Sequence, residues 1–455
     1  MRYLILTLTV LIMLAAGLWL WARSLGPTDA QLEALALMES PLEFEGSNAF
    51  TALWLLPYDV PESEQDGVMA DDIEALVRSR RNWFEDGGAL HFGSLAAERS
   101  ADLRPDAEDR KLFCQSGRGS CLDQVRTNPD GIRELLQRHS RLLERTAALA
   151  NHDYLQDLFP PSFLSPTPGF QLATYTQTRH ALAFIDGQVE DALEGTCRDL
   201  AGWQRLGTNS DTLLTRMIGH AFASQRFTGL LADMLAELPP GHPLPPNCQA
   251  LLQQPDPEAL NLCQPMRGEF RLMQAFTQEM ASDAYLRDSA ELSRVERLRL
   301  FGFRYEPSIA LAAPGYAQWC SEEIRDAVAA DNPEPELLEP PSLFNLRCLA
   351  NMQQCWISRM TPASVFRVYH GRHLDYGARM RLLAALLWIQ QHSADESLEA
   401  AFASLPDRFQ SATRPLRLDA DQAELAVELH NHGDGQFFTL PLPGSRQHKA
   451  GPETG

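Results

Sequence analysis

The chain opens with an apolar run bounded by charges. Arg2 is followed by twenty uncharged residues, Tyr3 to Ala22 (YLILTLTVLIMLAAGLWLWA), and then by Arg23. At about 1.5 Å of rise per residue this is a helix of roughly 30 Å, the depth of a bilayer's hydrocarbon core. A cleaved signal peptide carries a shorter apolar region, about 7–15 residues, ending in small residues at the cleavage site. Here the only near match, Leu14-Ala15-Ala16, lies inside the run, and Trp19 and Trp21 beyond it suit the membrane interface. The pattern predicts an uncleaved transmembrane signal anchor at 1–23 and a large body outside the membrane.

Beyond the anchor the apolar spacing is mostly helical. Residues 24–128 form an N-terminal helical region whose Cys114 and Cys121 enclose a loop. Pro129, after Asn128, opens a helix with Ile132, Leu135, Leu136, Leu142, Leu143 and Thr146 on one face; His139 on that stripe reads as a core residue. Segments 171–206 and 210–238 read as a long antiparallel pair. The second carries Leu214, Met217, Ile218, Ala221, Leu231, Met234, Leu235 and Leu238 at helical spacing, is capped by Asn209 or Ser210, and stops at Pro239-Pro240-Gly241. A third group, 258–304, completes a central domain at 129–330.

Residues 331–342 (Asp331-Asn332-Pro333-Glu334-Pro335 to Ser342) read as an acidic, proline-rich linker. Helices near 343–359, 362–368 and 376–392 follow. Then Leu425, Val427 and Leu429 alternate with Glu424, Ala426 and Glu428. After a turn at His430 to Gly435 comes Phe437 to Leu442, the signature of a hairpin. This gives a C-terminal unit at 343–442 and a disordered tail at 443–455. The predicted fold is mainly α: an N-terminal transmembrane helix, a multi-helix antiparallel bundle or repeat-like body, and a small C-terminal β-hairpin.

Charge narrows the partners. A net charge of −21 and a pI near 5.0 exclude the basic face that nucleic acid requires. Of 39 basic residues only Lys111 and Lys449 are lysine, so there is no phosphate-cradling Gly-x-x-x-x-Gly-Lys loop and no serine–lysine pair. His-Glu-x-x-His, Gly-x-Ser-x-Gly and Gly-x-Gly-x-x-Gly are absent too.

Eight cysteines remain: Cys114, Cys121, Cys197, Cys248, Cys263, Cys320, Cys348 and Cys355. None sits in the Cys-x₂₋₄-Cys knuckle that zinc favours, so structural disulfides in an oxidising compartment are expected. Cys114 and Cys121 enclose a flexible hexapeptide, Gln-Ser-Gly-Arg-Gly-Ser, that lets the two sulfurs meet. Cys248 and Cys263 flank a proline-rich loop (Gln254-Pro255-Asp256-Pro257) that can also close. Cys348 and Cys355 would stand roughly 10 Å apart in a regular helix from Leu346 to Trp356, beyond disulfide reach of about 7 Å. Either that helix breaks, or each pairs elsewhere, with Cys197 and Cys320 as candidates. Disulfides place the body outside the cytoplasm: a single-pass inner-membrane protein with its N-terminus inside and its body periplasmic.

Three groups have residue types capable of chemistry. His370 and His373 are three apart, but Gly371 favours a turn between them. His430, His432 and Asp434 lie on the hairpin turn, where such residues are common for their tolerance of left-handed backbone. In Arg267-Gly268-Glu269 the glycine permits a close helix crossing, with Arg267 and Glu269 partnering neighbouring elements. All three have simpler structural accounts, so no catalytic, cofactor-binding or metal-binding residue is assigned and no cofactor is expected.

In their order, several short stretches resemble a set of uncharacterised membrane-anchored bacterial envelope proteins. They are Ala181-Leu182, Gly187, Asp191-Ala192-Leu193, Leu213-Leu214, Met217-Ile218 and Arg267-Gly268-Glu269. Toward the end they continue with Arg381-Leu382-Leu383, Leu386, Ser397-Leu398-Glu399, Leu405-Pro406, Pro415-Leu416 and Gly435 to Phe438. The tail looks like the periplasmic part of type II pseudopilins, although Tyr-Pro before Ser-Leu-Glu and Asp-Pro-Phe after it are missing. The likeness, over about 170–442, implies a helical body with a C-terminal helix-plus-hairpin and no activity. The functional expectation is a non-catalytic envelope scaffold held by its membrane helix and binding another envelope protein. The alternatives are an envelope hydrolase built from dispersed Glu and His residues and an assembly factor for a pilus-like or secretion system.

Overall fold

The computed structural model describes residues 2–86, 92–115, 119–253, 257–281, 303–393, 397–431, 433 and 435–446. The chain is mainly helical, with an apolar N-terminal helix, α1 (Arg2–Ser24), and a small antiparallel sheet near its C-terminus. α1 is long and apolar enough to cross a membrane. Its residues 2–18 are exposed, whereas Ala22 is buried against the body. α2 (Asp29–Glu39) follows, started by a reciprocal cap between Thr28 and Gln31.

The expected helix from Pro129 is two, α3 (Pro129–Arg138) and α4 (Ser140–Ala148), with His139 at the joint. His139 Nε2 lies 2.8 Å from Asp109 and its ring packs near Phe113; the residue is partly buried, at the edge of the core rather than within it. The long segment 171–206 is likewise divided into α5 (Thr176–Ile185) and α6 (Val189–Thr208). Gly187, at φ +82°, supplies the left-handed residue that lets the chain turn between them. α7 (Leu213–Ala221), a π-helical turn at Phe222–Phe227 and α8 (Thr228–Glu237) return along α6. Thr212, rather than Asn209 or Ser210, caps α7 by accepting the Thr215 N–H.

α9 (Cys263–Met280) and α10 (Tyr305–Ala317) pack with α2 around Met38, Phe270, Ile309 and Ala313. α11 (Leu346–Ala350) and α12 (Met352–Met360) meet at Asn351. α13 (Arg367–His392) runs unbroken through Gly371. The turn expected there does not form, because both glycines of this helix serve close packing. A Cβ on Gly371 would lie 2.9 Å from Asn431 Nδ2, and one on Gly377 2.8 Å from Leu260. From His370 to Gln390 nearly every α13 residue is buried, so the helix carries no one-sided stripe.

β1 (Arg417–Asp419) joins the expected hairpin of β2 (Glu424–Glu428) and β3 (Phe437–Pro441) in the order β1-β2-β3. Leu425 faces Leu440 and Val427 faces Phe438 across the β2–β3 pair. Leu425, Val427, Leu440 and Leu442 enter the main core beside α13. Gly444 and Arg446 donate backbone N–H groups to Leu235 and Ala236, so the chain is docked on α8 as far as 446. The rest of the tail lies outside the described residues.

Four disulfides brace the body: Cys114–Cys121, Cys197–Cys248, Cys263–Cys320 and Cys348–Cys355. The first is as expected. Closure of Cys248 on Cys263 is corrected, because Cys248 lies behind α6 at Cys197 while Cys263 opens α9 beside Cys320. Cys348 pairs with Cys355 because the helix breaks: Asn351, at φ −132° and ψ 45°, brings the two Cα atoms to 5.6 Å.

Candidate functional site

Arg267-Gly268-Glu269 lies where α9 crosses the start of α7. A Cβ on Gly268 would stand 1.8 Å from the Asp211 carbonyl oxygen, so only glycine permits this crossing. Glu269 Oε1 accepts the Leu213 N–H at 3.0 Å, satisfying one of the free donors at the start of α7. Burial raises the Glu269 pKa. Arg267 donates to the Ser40 carbonyl (2.6 Å), the Ser40 hydroxyl (2.5 Å) and the Pro41 carbonyl (2.7 Å), tying the end of α2 to α9.

Beside this crossing stands a carboxylate pair that sequence spacing does not reveal. The Asp157 N–H donates to both oxygens of Asp211, at 3.3 and 3.2 Å. Asp211 is pushed up to about 7, by burial first and by the neighbouring Asp157 second. Burial likewise raises Asp157 to about 6, against the Phe159 N–H and Arg80.

The two histidines of α13 part company. The His370 Nε2–H donates to the Asn332 carbonyl at 2.9 Å, and its ring rests near Trp319. His373 Nδ1 donates to the Tyr369 carbonyl at 2.9 Å and its ring meets His220 edge-on, with centroids 5.1 Å apart. Glu269 and His370 have different partners. Glu269 bonds Leu213 while His370 packs on Trp319, and Leu213 and Trp319 belong to one buried apolar cluster with Met266 and Ile324.

His220 is the more conspicuous group. It stacks on Tyr376 with centroids 3.7 Å apart, and neither of its ring nitrogens has a hydrogen-bond partner among the described residues. Burial holds His220 well below the usual histidine range and His373 at about 3, so both are neutral at physiological pH. One turn earlier Arg216, 2 % exposed, donates to the carbonyls of Asn261 and Thr208; burial lowers it to about 10. The buried face of α7 is therefore Leu213, Arg216 and His220, rotated from the expected Leu214, Met217 and Ile218 stripe, and Leu214 is exposed. Gly207 and Gly219 make room for it: a Cβ on Gly207 would lie 2.7 Å from the His220 ring. Met217 and Ile218 instead line a cavity of about 340 Å³, with His220, Ser224, Arg372 and Asp375 also on its wall. The π-helical turn borders this cavity, and such turns recur at functional sites. A polar pair four residues apart inside an apolar stripe was the available signal.

The hairpin turn is anchored from below. Asp375 of α13, itself buried, accepts the N–H groups of His430 (2.7 Å) and Asn431 (3.0 Å), the Asn431 amide (3.1 Å) and Arg414 (2.7 Å). Arg414 also pairs with Asp331, which His430 Nε2 approaches at 3.2 Å. Burial would raise the Asp331 pKa, but hydrogen bonds from His430 and Arg414 outweigh it and hold this carboxyl well below its usual range. The segment expected as a linker is thus fastened at its first residue to α13 and the hairpin. His432 and Asp434 lie outside the described residues.

Among the described residues no group of three or more His, Cys, Asp or Glu side chains is arranged to hold a metal ion. Compared with known proteins, the chain matches no family model, no curated protein and no solved structure.

Proposed function

We propose that this chain is a single-pass inner-membrane protein, N-terminus in the cytoplasm, whose disulfide-braced periplasmic body is a scaffold that binds another envelope protein. The observation that carries it is how the charged groups are used. Glu269 caps α7, Arg267 ties α2 to α9, and Asp375 with Arg414 and Asp331 fastens three segments that are distant in sequence. These groups keep a large helical surface rigid, as a docking platform requires. The apolar α1 and the four disulfides support the location. In-envelope cross-linking followed by mass spectrometry should return one abundant, reproducible partner of the anchored protein; a clean negative overturns the scaffold role. Unreduced, denatured protein from its native envelope should contain no titratable thiol, and several free thiols would overturn the periplasmic location.

One observation favours a second reading, a small-ligand site. The His220 ring, whose nitrogens have no hydrogen-bond partner among the described residues, stands in the cavity wall beside the Arg372 cation and the Asp375 carboxylate. A thermal-shift screen with inorganic phosphate and short carboxylates tests it. Stabilisation that Arg372→Gln removes would support a ligand site, and no shift with any probe would dismiss it.

A further inference from the structure

We infer that the segment around α11 and α12 is a second membrane contact, an apolar and acid-free surface that lies on the bilayer crossed by α1. The inference rests on α1 being a membrane anchor, and the experiment below separates the two.

Position comes first. α11 packs against the body end of α1, and the Arg347 Nε–H donates to the Gly26 carbonyl at 3.2 Å. Twenty uncharged, mostly apolar residues ending at Ala22 span roughly 30 Å, so Ala22 marks the edge of the hydrocarbon core. Ala22 is buried and Trp19 half-buried, which holds the body at headgroup depth rather than on a long tether.

The surface presented at that level is apolar. Phe344, just before α11, is 99 % exposed, more than Tyr3 of the anchor itself at 87 %. Leu343 beside it and Met352 at the start of α12 are exposed as well. Single exposed apolar side chains are ordinary, but a fully exposed phenylalanine beside a membrane helix has an apolar phase within reach. The Cys348–Cys355 bond fixes the corner between α11 and α12, so these side chains are carried on a rigid support.

Charge agrees. The sequence holds 60 acidic residues in 455, yet from Pro340 to Met360, the stretch that carries α11 and α12, there is none, while Arg347 and Arg359 fall within it. The segment that carries these exposed apolar side chains therefore holds no carboxylate for anionic headgroups to repel and two arginines for them to attract.

The test places p-benzoylphenylalanine at 344, and separately at 11, in the full-length chain reconstituted in phosphatidylethanolamine–phosphatidylglycerol vesicles. After illumination, adducts are identified by mass spectrometry. The inference expects lipid adducts at both positions. Adding Leu343→Asp and Met352→Asp should abolish the lipid adduct at 344 and leave that at 11. Lipid at 11 but only solvent, a second copy of the chain or another protein at 344 overturns the second contact while the anchor stands. Absence of lipid at both positions overturns the anchor and the inference with it. A lipid adduct at 344 that survives both aspartates refutes the apolar basis of the contact.

Discussion

Asp211→Asn isolates the cost of the buried carboxylate beside the α7–α9 crossing. Asp211 is 7 % exposed, and its carboxyl is lifted from 3.8 to about 7, by burial and then by Asp157. At 1.36 kcal/mol per unit, a shift of about 3 units is an upper figure of about 4 kcal/mol against the ionised native state. Between about pH 4 and pH 7 the native state keeps this proton and the unfolded chain does not. Stability from this group therefore falls as pH rises through that window, and the full penalty is present above about 7. Asparagine retains an oxygen to accept the Asp157 N–H and carries no charge. The variant should match the parent near pH 4 and exceed it by about 2–4 kcal/mol at pH 8, because structural relaxation reduces the upper figure. The assay is urea unfolding by circular dichroism of the full-length chain in detergent, disulfides intact, from pH 4 to 8. Taking variant minus parent cancels titrations not coupled to Asp211, including those of His220 and His373, whose burial acts on the acid limb; the mutual repulsion with Asp157 stays in the difference and is part of the cost being measured. A difference that is flat with pH, or a variant weaker than the parent at pH 8, would refute the reasoning.

Gly268→Ala drives a methyl group into the Asp211 carbonyl and should cost about 3 kcal/mol or more; an unchanged melting temperature would mean the crossing is looser than described. Arg414→Leu leaves Asp375 and Asp331 without their cation and should cost about 3–5 kcal/mol. Limited proteolysis should then cut near the hairpin turn, and a protease-resistant variant would show the network to be dispensable. The disulfides should rank by the loop they close. Replacing Cys263 and Cys320, 57 residues apart, should cost about 4 kcal/mol, against about 2 kcal/mol for Cys348 and Cys355, 7 apart. Chemical denaturation of the two double-serine variants gives the order, and its reversal would count against loop entropy as the source.

Where the sequence could be read correctly, one physical signal dominated. The uncharged run from Tyr3 to Ala22 admits little but a membrane-length helix, and period-two alternation on both sides of a Gly- and Asp-rich turn marks β2 and β3. β1 escaped notice because Arg417-Leu418-Asp419 is too short to alternate recognisably. α13 was misread at Gly371 because a glycine looks the same in sequence whether it serves a turn or the approach of Asn431. The face of α7 was misjudged for a related reason. Arg216 and His220 are polar, and only the carbonyls of Asn261 and Thr208, held there by the tertiary fold, make a buried arginine tolerable. Asp157 and Asp211 are 54 residues apart, and no local pattern brings them together.

The order of the four disulfides bears on how the molecule is made. Counted from the N-terminus, the first cysteine joins the second, the third the fourth, the fifth the sixth and the seventh the eighth. Eight cysteines allow 105 pairings, and this is the one reached when each newly emerged thiol is oxidised with the last one still free. A body that emerges from its anchored end onward into an oxidising space presents its cysteines in that order. It can therefore reach its native bonds with a thiol oxidase alone, without an isomerase to undo mistakes.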